Sequence, residues 1–165
     1  MKSSSRAIWV LAGLVILPLV AEGHEPGAHA SSVPAQNISD QAKPAVAVVD
    51  EFSASLKAGD LKQAGGMLAN DVLVLESGGA ERSREEYIGQ HATDDAVFLK
   101  SATITVLRRT ARAEGSFAWV GTESEISVMK KGEPLTLLST ETMVLKRTAG
   151  VWRIVHIHWS SRPKR

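Results

Sequence analysis

Tyr87 and His91 are spaced to move a proton. They lie four residues apart in a segment with a helical pattern, so they share one helix face. A tyrosine O–H there could donate to a developing oxyanion while His91 or a carboxylate carries the proton. A plainer alternative has Tyr87 packed on a sheet and His91 at a helix end, where a partly positive imidazole is favoured. Glu123 and Glu141, both in strand-like segments, are the carboxylates to consider. Placed in an apolar surrounding, either would have a raised pKa and could act as acid or base near neutrality. Glu123 and Glu125 alternate with Thr122 and Ser124, which also describes a solvated strand.

Metal ligation is the other chemistry that spacing allows. His156 and His158 are two apart, on one strand face and ~7 Å from each other, so both could reach one ion. Three protein ligands are needed and only two are visible, so neither a metal nor another cofactor is expected. His24 and His29 lie in a Pro-, Ala-, Ser- and Gln-rich stretch, where a copper-chelating N-terminus competes with a plain tether.

The opening residues read as a secretory signal: Lys2 and Arg6, then the uncharged apolar run Ala7–Ala21, then small residues at Ala21 and Gly23. The run is shorter than the ~20 apolar residues of a membrane span, so no membrane association is expected after cleavage. Cleavage after Gly23 would leave 142 residues destined for a periplasmic or secreted location. The chain has 19 basic and 18 acidic residues, and losing Lys2, Arg6 and Glu22 leaves 17 of each. That neutral balance without a basic cluster argues against a nucleic-acid partner. With no cysteine, neither a disulfide nor a thiolate metal site can form.

Residues 24–43 have almost no large apolar groups and are expected to be a flexible linker. A first helix carries Val46, Val49, Phe52 and Leu56 at helical spacing, and Ala58-Gly59-Asp60 ends it and caps a second through Leu61, Ala64 and Leu68. After a short strand over Val72–Glu76 and a turn at Gly78-Gly79, a third helix spans about Ser83–Ala92, with Ser83 and Glu86 as a capping box. The period then changes to two, giving strands over 100–112, 117–130, 135–146 and 152–160. Three helices followed by a meander make an α+β domain over residues 44–161, with helices on one sheet face and a basic tail at 162–165.

Ala58-Gly59-Asp60, Glu85-Glu86-Tyr87-Ile88 with His91, and the hairpin from Thr140-Glu141-Thr142-Met143 through Trp152-Arg153-Ile154-Val155-His156-Ile157-His158-Trp159 resemble the nuclear-transport-factor-two-like superfamily. This is the cone-shaped fold of SnoaL-like and ketosteroid-isomerase-like proteins. The hairpin is especially similar to the association domain of calcium/calmodulin-dependent protein kinase II. The resemblance implies a curved antiparallel sheet with three helices covering one face. It also implies that Phe117, Trp119 and Glu123, Glu141, Met143 and Leu145, and Val155, Ile157 and Trp159 look inward. The arginines that line the kinase-domain pocket have Glu123, Met143 and Trp159 as counterparts, so anion binding does not carry over.

The resemblance further implies that Trp152, Ile154, His156 and His158 form a homodimer interface. Together these readings describe an exported homodimer whose apolar cavity, lined by Tyr87, His91, Trp119, Glu123, Glu141, Met143 and Trp159, takes a small apolar molecule. The alternative is an isomerase- or dehydratase-like enzyme using Tyr87, His91 and a cavity carboxylate.

Overall fold

The computed structural model describes residues 35–165. The expected signal, with His24 and His29, lies outside the described residues. In chain order the elements are β1 (Ala35–Ile38), a 3-10 turn (Asp40–Ala42), α1 (Lys43–Ala58), α2 (Leu61–Met67), β2 (Leu68–Glu76) and β3 (Gly79–Glu81). They continue with α3 (Arg84–Gly89), α4 (His91–Ser101), β4 (Thr103–Glu114), β5 (Phe117–Lys130), β6 (Glu133–Thr148) and β7 (Val151–Pro163). The seven strands of the described residues form one curled, open sheet in the order β1-β4-β5-β6-β7-β2-β3. Strands β4 to β7 are an antiparallel meander, while β1 on β4 and β2 on β7 pair in parallel. The α+β cone is the architecture expected from the residues.

Local chemistry sets the helix ends. Gly59 closes α1 in the left-handed conformation at φ 78°, where glycine alone adds no steric cost. Asp60 then accepts from the Gln63 amide at 2.9 Å and starts α2. Ser83 accepts from the Glu86 amide at 3.0 Å, while the Glu86 carboxylate accepts from the Arg82 amide at 2.7 Å.

Four α-helices are present among the described residues where three were expected. The expected third helix breaks at Gln90, and α4 continues from His91 to Ser101 on a face that buries only the small Ala92 and Ala96. Residues 35–42, expected as linker, join the sheet edge, where Ser39 donates its amide to the Ala111 carbonyl at 3.2 Å. At the other end β7 runs to Pro163, and the Lys164 amide donates to Thr136 at 2.8 Å, so the basic tail is largely part of the sheet.

Two corrections concern which way strand residues point. On β5 the core-facing residues are Ala118, Val120, Thr122 and Ser124, so Phe117, Trp119 and Glu123 face away from the helices. The two-residue turn Lys131-Gly132, with both φ positive, pairs Lys130 with Glu133. That register sets Val120, not Trp119, opposite Met143, and a one-residue offset reverses the face of every side chain. On β7 strict alternation fails because Leu145 pairs with Ile154 while Val144 pairs with His156. The extra residue, Val155, is a β-bulge that shifts the phase. Trp152 and Ile154 therefore lie in the core with Ile157 and Trp159, not beside His156 and His158 in an interface.

The expected apolar hollow is filled. Phe52, Tyr87, Met143, Leu145 and Ile157 have no accessible surface. A water-sized void against any of them would leave surface exposed on its wall. Small inward residues on β5, Ala118 and Val120, let α1 pack closely enough for Phe52 and Leu56 to occupy that space.

Candidate functional site

The inner face of the sheet becomes polar along one transverse row. Arg109 on β4 pairs with Thr122 on β5, Thr122 with Glu141 on β6, Glu141 with Trp159 on β7, and Trp159 with Glu76 on β2. Directly opposed residues on neighbouring strands lie side by side on one face, so the pairing itself assembles five side chains across five strands. Arg109 Nε donates to Thr122 Oγ1 at 3.2 Å, and its guanidinium pairs with Asp50 from α1. Trp159 Nε1 donates to Glu141 Oε2 at 2.8 Å.

Helices α3 and α4 close over the β2 end of the row. Tyr87 donates its hydroxyl to Asp95 Oδ2 at 2.8 Å, and its ring sits 6.1 Å from that of Trp159. His91 Nδ1 is 3.1 Å from Glu81 Oε1 on β3, while its Nε2 faces Asp95 Oδ1 at 3.7 Å and Glu76 Oε2 at 3.8 Å. Glu76 Oε2 and Glu81 Oε2 are buried without a hydrogen-bond partner. Tyr87 itself is fully buried, whereas His91 and Glu76 retain about a third of their side-chain surface, 35% and 30%, and form the mouth of the cluster.

Burial and crowding of like charge set the protonation of these groups. Burial raises the Asp95 pKa against the opposing pull of His91 and Tyr87. Glu76 is raised by burial and then by Asp95. Burial lowers the His91 pKa, but Asp95, Glu76 and Glu81 together outweigh it and raise the net value. Tyr87 is pushed up by burial and by Asp95, so its hydroxyl stays protonated and a donor. Glu141, enclosed between Trp159 and Thr122, is raised by burial despite its hydrogen bonds and the nearby Arg109. Such a cluster can hold a proton between a carboxylate and an imidazole and pass it from one to the other.

Of the side chains singled out from sequence, Tyr87, His91, Glu141 and Trp159 come together here, and Met143 lies in the core two residues along β6 from Glu141. Trp119 and Glu123 are on the far side of the sheet, where Glu123 pairs with Arg108 at 3.7 Å. His156 Nδ1 approaches the Leu73 carbonyl at 2.9 Å, and His158 is exposed. Sequence reasoning missed Glu76, Glu81, Asp95 and Arg109. Asp95 carried a readable signal, since Tyr87, His91 and Asp95 recur every four residues, but the expected helix ended at Ala92. Glu76 shares strand parity with the buried Val72 and Val74.

A family model described as a SnoaL-like domain matches residues 45–163. A crystal structure from Shewanella frigidimarina, provisionally assigned as a ketosteroid isomerase, is 33% identical with a TM-score of 0.68, the match covering 75% of this chain and 99% of that one. A provisionally assigned calcium/calmodulin-dependent protein kinase II association domain from Xanthomonas campestris is 22% identical with a TM-score of 0.61, covering 77% and 91%. The association domain of the C. elegans kinase is 19% identical with a TM-score of 0.59, covering 73% and 95%. At these identities the last two show shared fold. No curated protein matches the chain.

Proposed function

The chain belongs to the SnoaL-like domain family, and from that premise we propose that it binds a small molecule at the polar end of its sheet and moves a proton on it, as an isomerase or dehydratase does. The observation that carries this reading is the convergence of His91 Nε2, Asp95 and Glu76 at a partly open mouth, with Tyr87 holding Asp95 from behind. His91 is the accessible proton carrier, Asp95 and Glu76 set its basicity, and buried Tyr87 orients Asp95 instead of touching the ligand. The provisional assignment of the Shewanella relative as a ketosteroid isomerase supports the reaction class.

The charge balance narrows the ligand. Among the described residues Glu76, Glu81 and Asp95 surround His91, and Asp50 and Glu141 adjoin Arg109, so carboxylates outnumber cations and the site opposes an anion and favours a neutral or cationic molecule. The walls are polar, with Trp159 as the apolar surface, which replaces the expected apolar ligand by a small carbonyl compound or amine. A thermal-shift screen of such compounds tests this: a ligand at 100 times its dissociation constant adds about 2.7 kcal/mol. Hits abolished by His91→Ala support the reading, and hits indifferent to His91→Ala and Asp95→Asn refute it.

Homodimerisation is a second proposal, supported by the outer sheet face. Trp119, Val144, His156 and Leu73 are neighbours across four strands, and Phe117 and Trp119 are 50% and 42% exposed. A contiguous aromatic and apolar patch of this kind marks an interaction surface. Export remains proposed from residues 1–23, and N-terminal mass spectrometry of protein recovered from the periplasm or medium would test it.

A further inference from the structure

We propose that the Glu76–His91–Asp95 cluster holds a divalent transition-metal cation. The inference rests on reading this cluster as the functional site, and it assigns His91 Nε2 to a cation where the acid–base account places a proton.

Three donor atoms converge. His91 Nε2, Glu76 and Asp95 each offer one atom, all within 4.8 Å of one another. The separations from Nε2, 3.7 Å to Asp95 Oδ1 and 3.8 Å to Glu76 Oε2, are slightly wider than the roughly 3.4 Å edge of a tetrahedron with ~2.1 Å metal–ligand bonds. Inward rotation of both carboxylates would bring the three atoms to that spacing.

The surroundings carry the argument past proximity. Glu81 lies 3.1 Å from His91 Nδ1, and a neutral imidazole that donates Nδ1–H to it turns its Nε2 lone pair toward two carboxylate oxygens. That arrangement calls for a positive centre between the three groups, which a proton on Nε2 or a bound cation supplies. Tyr87 plays the matching part for Asp95, donating to Oδ2 and leaving Oδ1 turned toward His91. Metal ligands are oriented in this way, each by a hydrogen bond on its far side. Independently, Glu76 Oε2 is buried and has no hydrogen-bond partner although it points at this centre. A buried carboxylate oxygen with nothing to accept from lacks a counter-group, and a cation held between Glu76, Asp95 and His91 would supply one.

The donor set selects the ion. An imidazole nitrogen disfavours magnesium and calcium, and the absence of thiolate disfavours the softest metals, so zinc, cobalt and manganese are the class that fits. Three carboxylates around one imidazole leave an excess of negative charge that a dication neutralises.

The test is calorimetric titration of the full-length chain with zinc, alongside cobalt absorption spectroscopy, in a His24→Ala/His29→Ala background that removes the tail histidines. One ion per chain is expected. Glu76→Gln, Asp95→Asn and His91→Ala should each weaken binding at least tenfold, with circular dichroism checking that the isosteric Gln and Asn variants remain folded. Glu81→Gln should weaken it about tenfold while retaining the cobalt spectrum, as for a group that orients a ligand. His156→Ala/His158→Ala should change nothing. Absence of stoichiometric binding by zinc, cobalt and manganese, or binding indifferent to Glu76→Gln and Asp95→Asn, overturns the inference. If no metal binds yet small-molecule hits depend on His91, the cation falls and the acid–base reading stands; metal binding without any ligand reverses the two.

Discussion

Trp159 donates its indole N–H to Glu141 at 2.8 Å, and that bond joins two halves of one polar row. On one side Glu141 continues through Thr122 and Arg109 to Asp50. On the other, the Trp159 ring leans on Tyr87, which holds Asp95. Sheet register makes Arg109, Thr122, Glu141 and Trp159 neighbours, because each is the cross-strand partner of the next.

Glu141 makes stability depend on pH. Burial holds its pKa above the ordinary 4.5, so the folded state binds the proton more tightly than the unfolded chain does. The stabilising contribution is therefore full below the unfolded value and is lost as pH rises through the folded value. Glu141→Gln removes this loss while leaving an acceptor for Trp159. The melting temperature of Glu141→Gln relative to wild type is expected to climb as pH rises above the ordinary carboxylate range, and to level off once the folded-state carboxyl has ionised. Parallel melting curves across that rise would show that Glu141 is not buried as described.

Tyr87→Phe keeps the buried ring and deletes one hydroxyl. Asp95 Oδ2 then has no donor, at an expected cost of about 1–3 kcal/mol in urea unfolding. A loss below about 0.5 kcal/mol would mean that the hydrogen bond contributes nothing, as happens at surface sites.

Met143→Ala and Trp119→Ala separate the two sheet faces. Met143 is wholly buried, so its truncation should cost about 2–5 kcal/mol. Trp119 is 42% exposed, and its truncation should cost the isolated protomer clearly less. Unfolding at low concentration measures both, and the reverse order would contradict the register given for β5 and β6.

Trp119→Lys places a charge at the centre of the outer patch. Light scattering is expected to show a dimer for the wild type and a monomer for the variant, since an unpaired buried charge costs several kcal/mol at an interface. A wild-type monomer, or a variant that stays dimeric, would remove the outer face as the contact.

The fold was legible because its signals are local: Gly59-Asp60, the Ser83/Glu86 cap and the period-two segments each name their own element. What failed were phases and weak patterns. The facing of Trp119 depends on whether Lys131-Gly132 is a two-residue turn, and counting outward from that turn gives Val120 opposite Met143. Val155 carries no mark of a bulge, so alternation placed Trp152 and Ile154 on the wrong side. Helix α4 buries alanines in place of large apolar residues, and with it Asp95 was lost from the candidate site. The row of Arg109, Thr122, Glu141, Trp159 and Glu76 joins residues far apart in sequence and emerges only once four strand registers are fixed.

The central claim, that small molecules bind on the Trp159 row beneath α3 and α4, can be read from the indole N–H resonances in a nitrogen-15 spectrum during titration with carbonyl compounds and amines. The expected result is a saturable shift of the Trp159 signal, with Trp152 in the core and Trp119 on the outer face unmoved, and its disappearance in His91→Ala. Shifts confined to Trp119, or a Trp159 signal that no compound moves, would contradict the account.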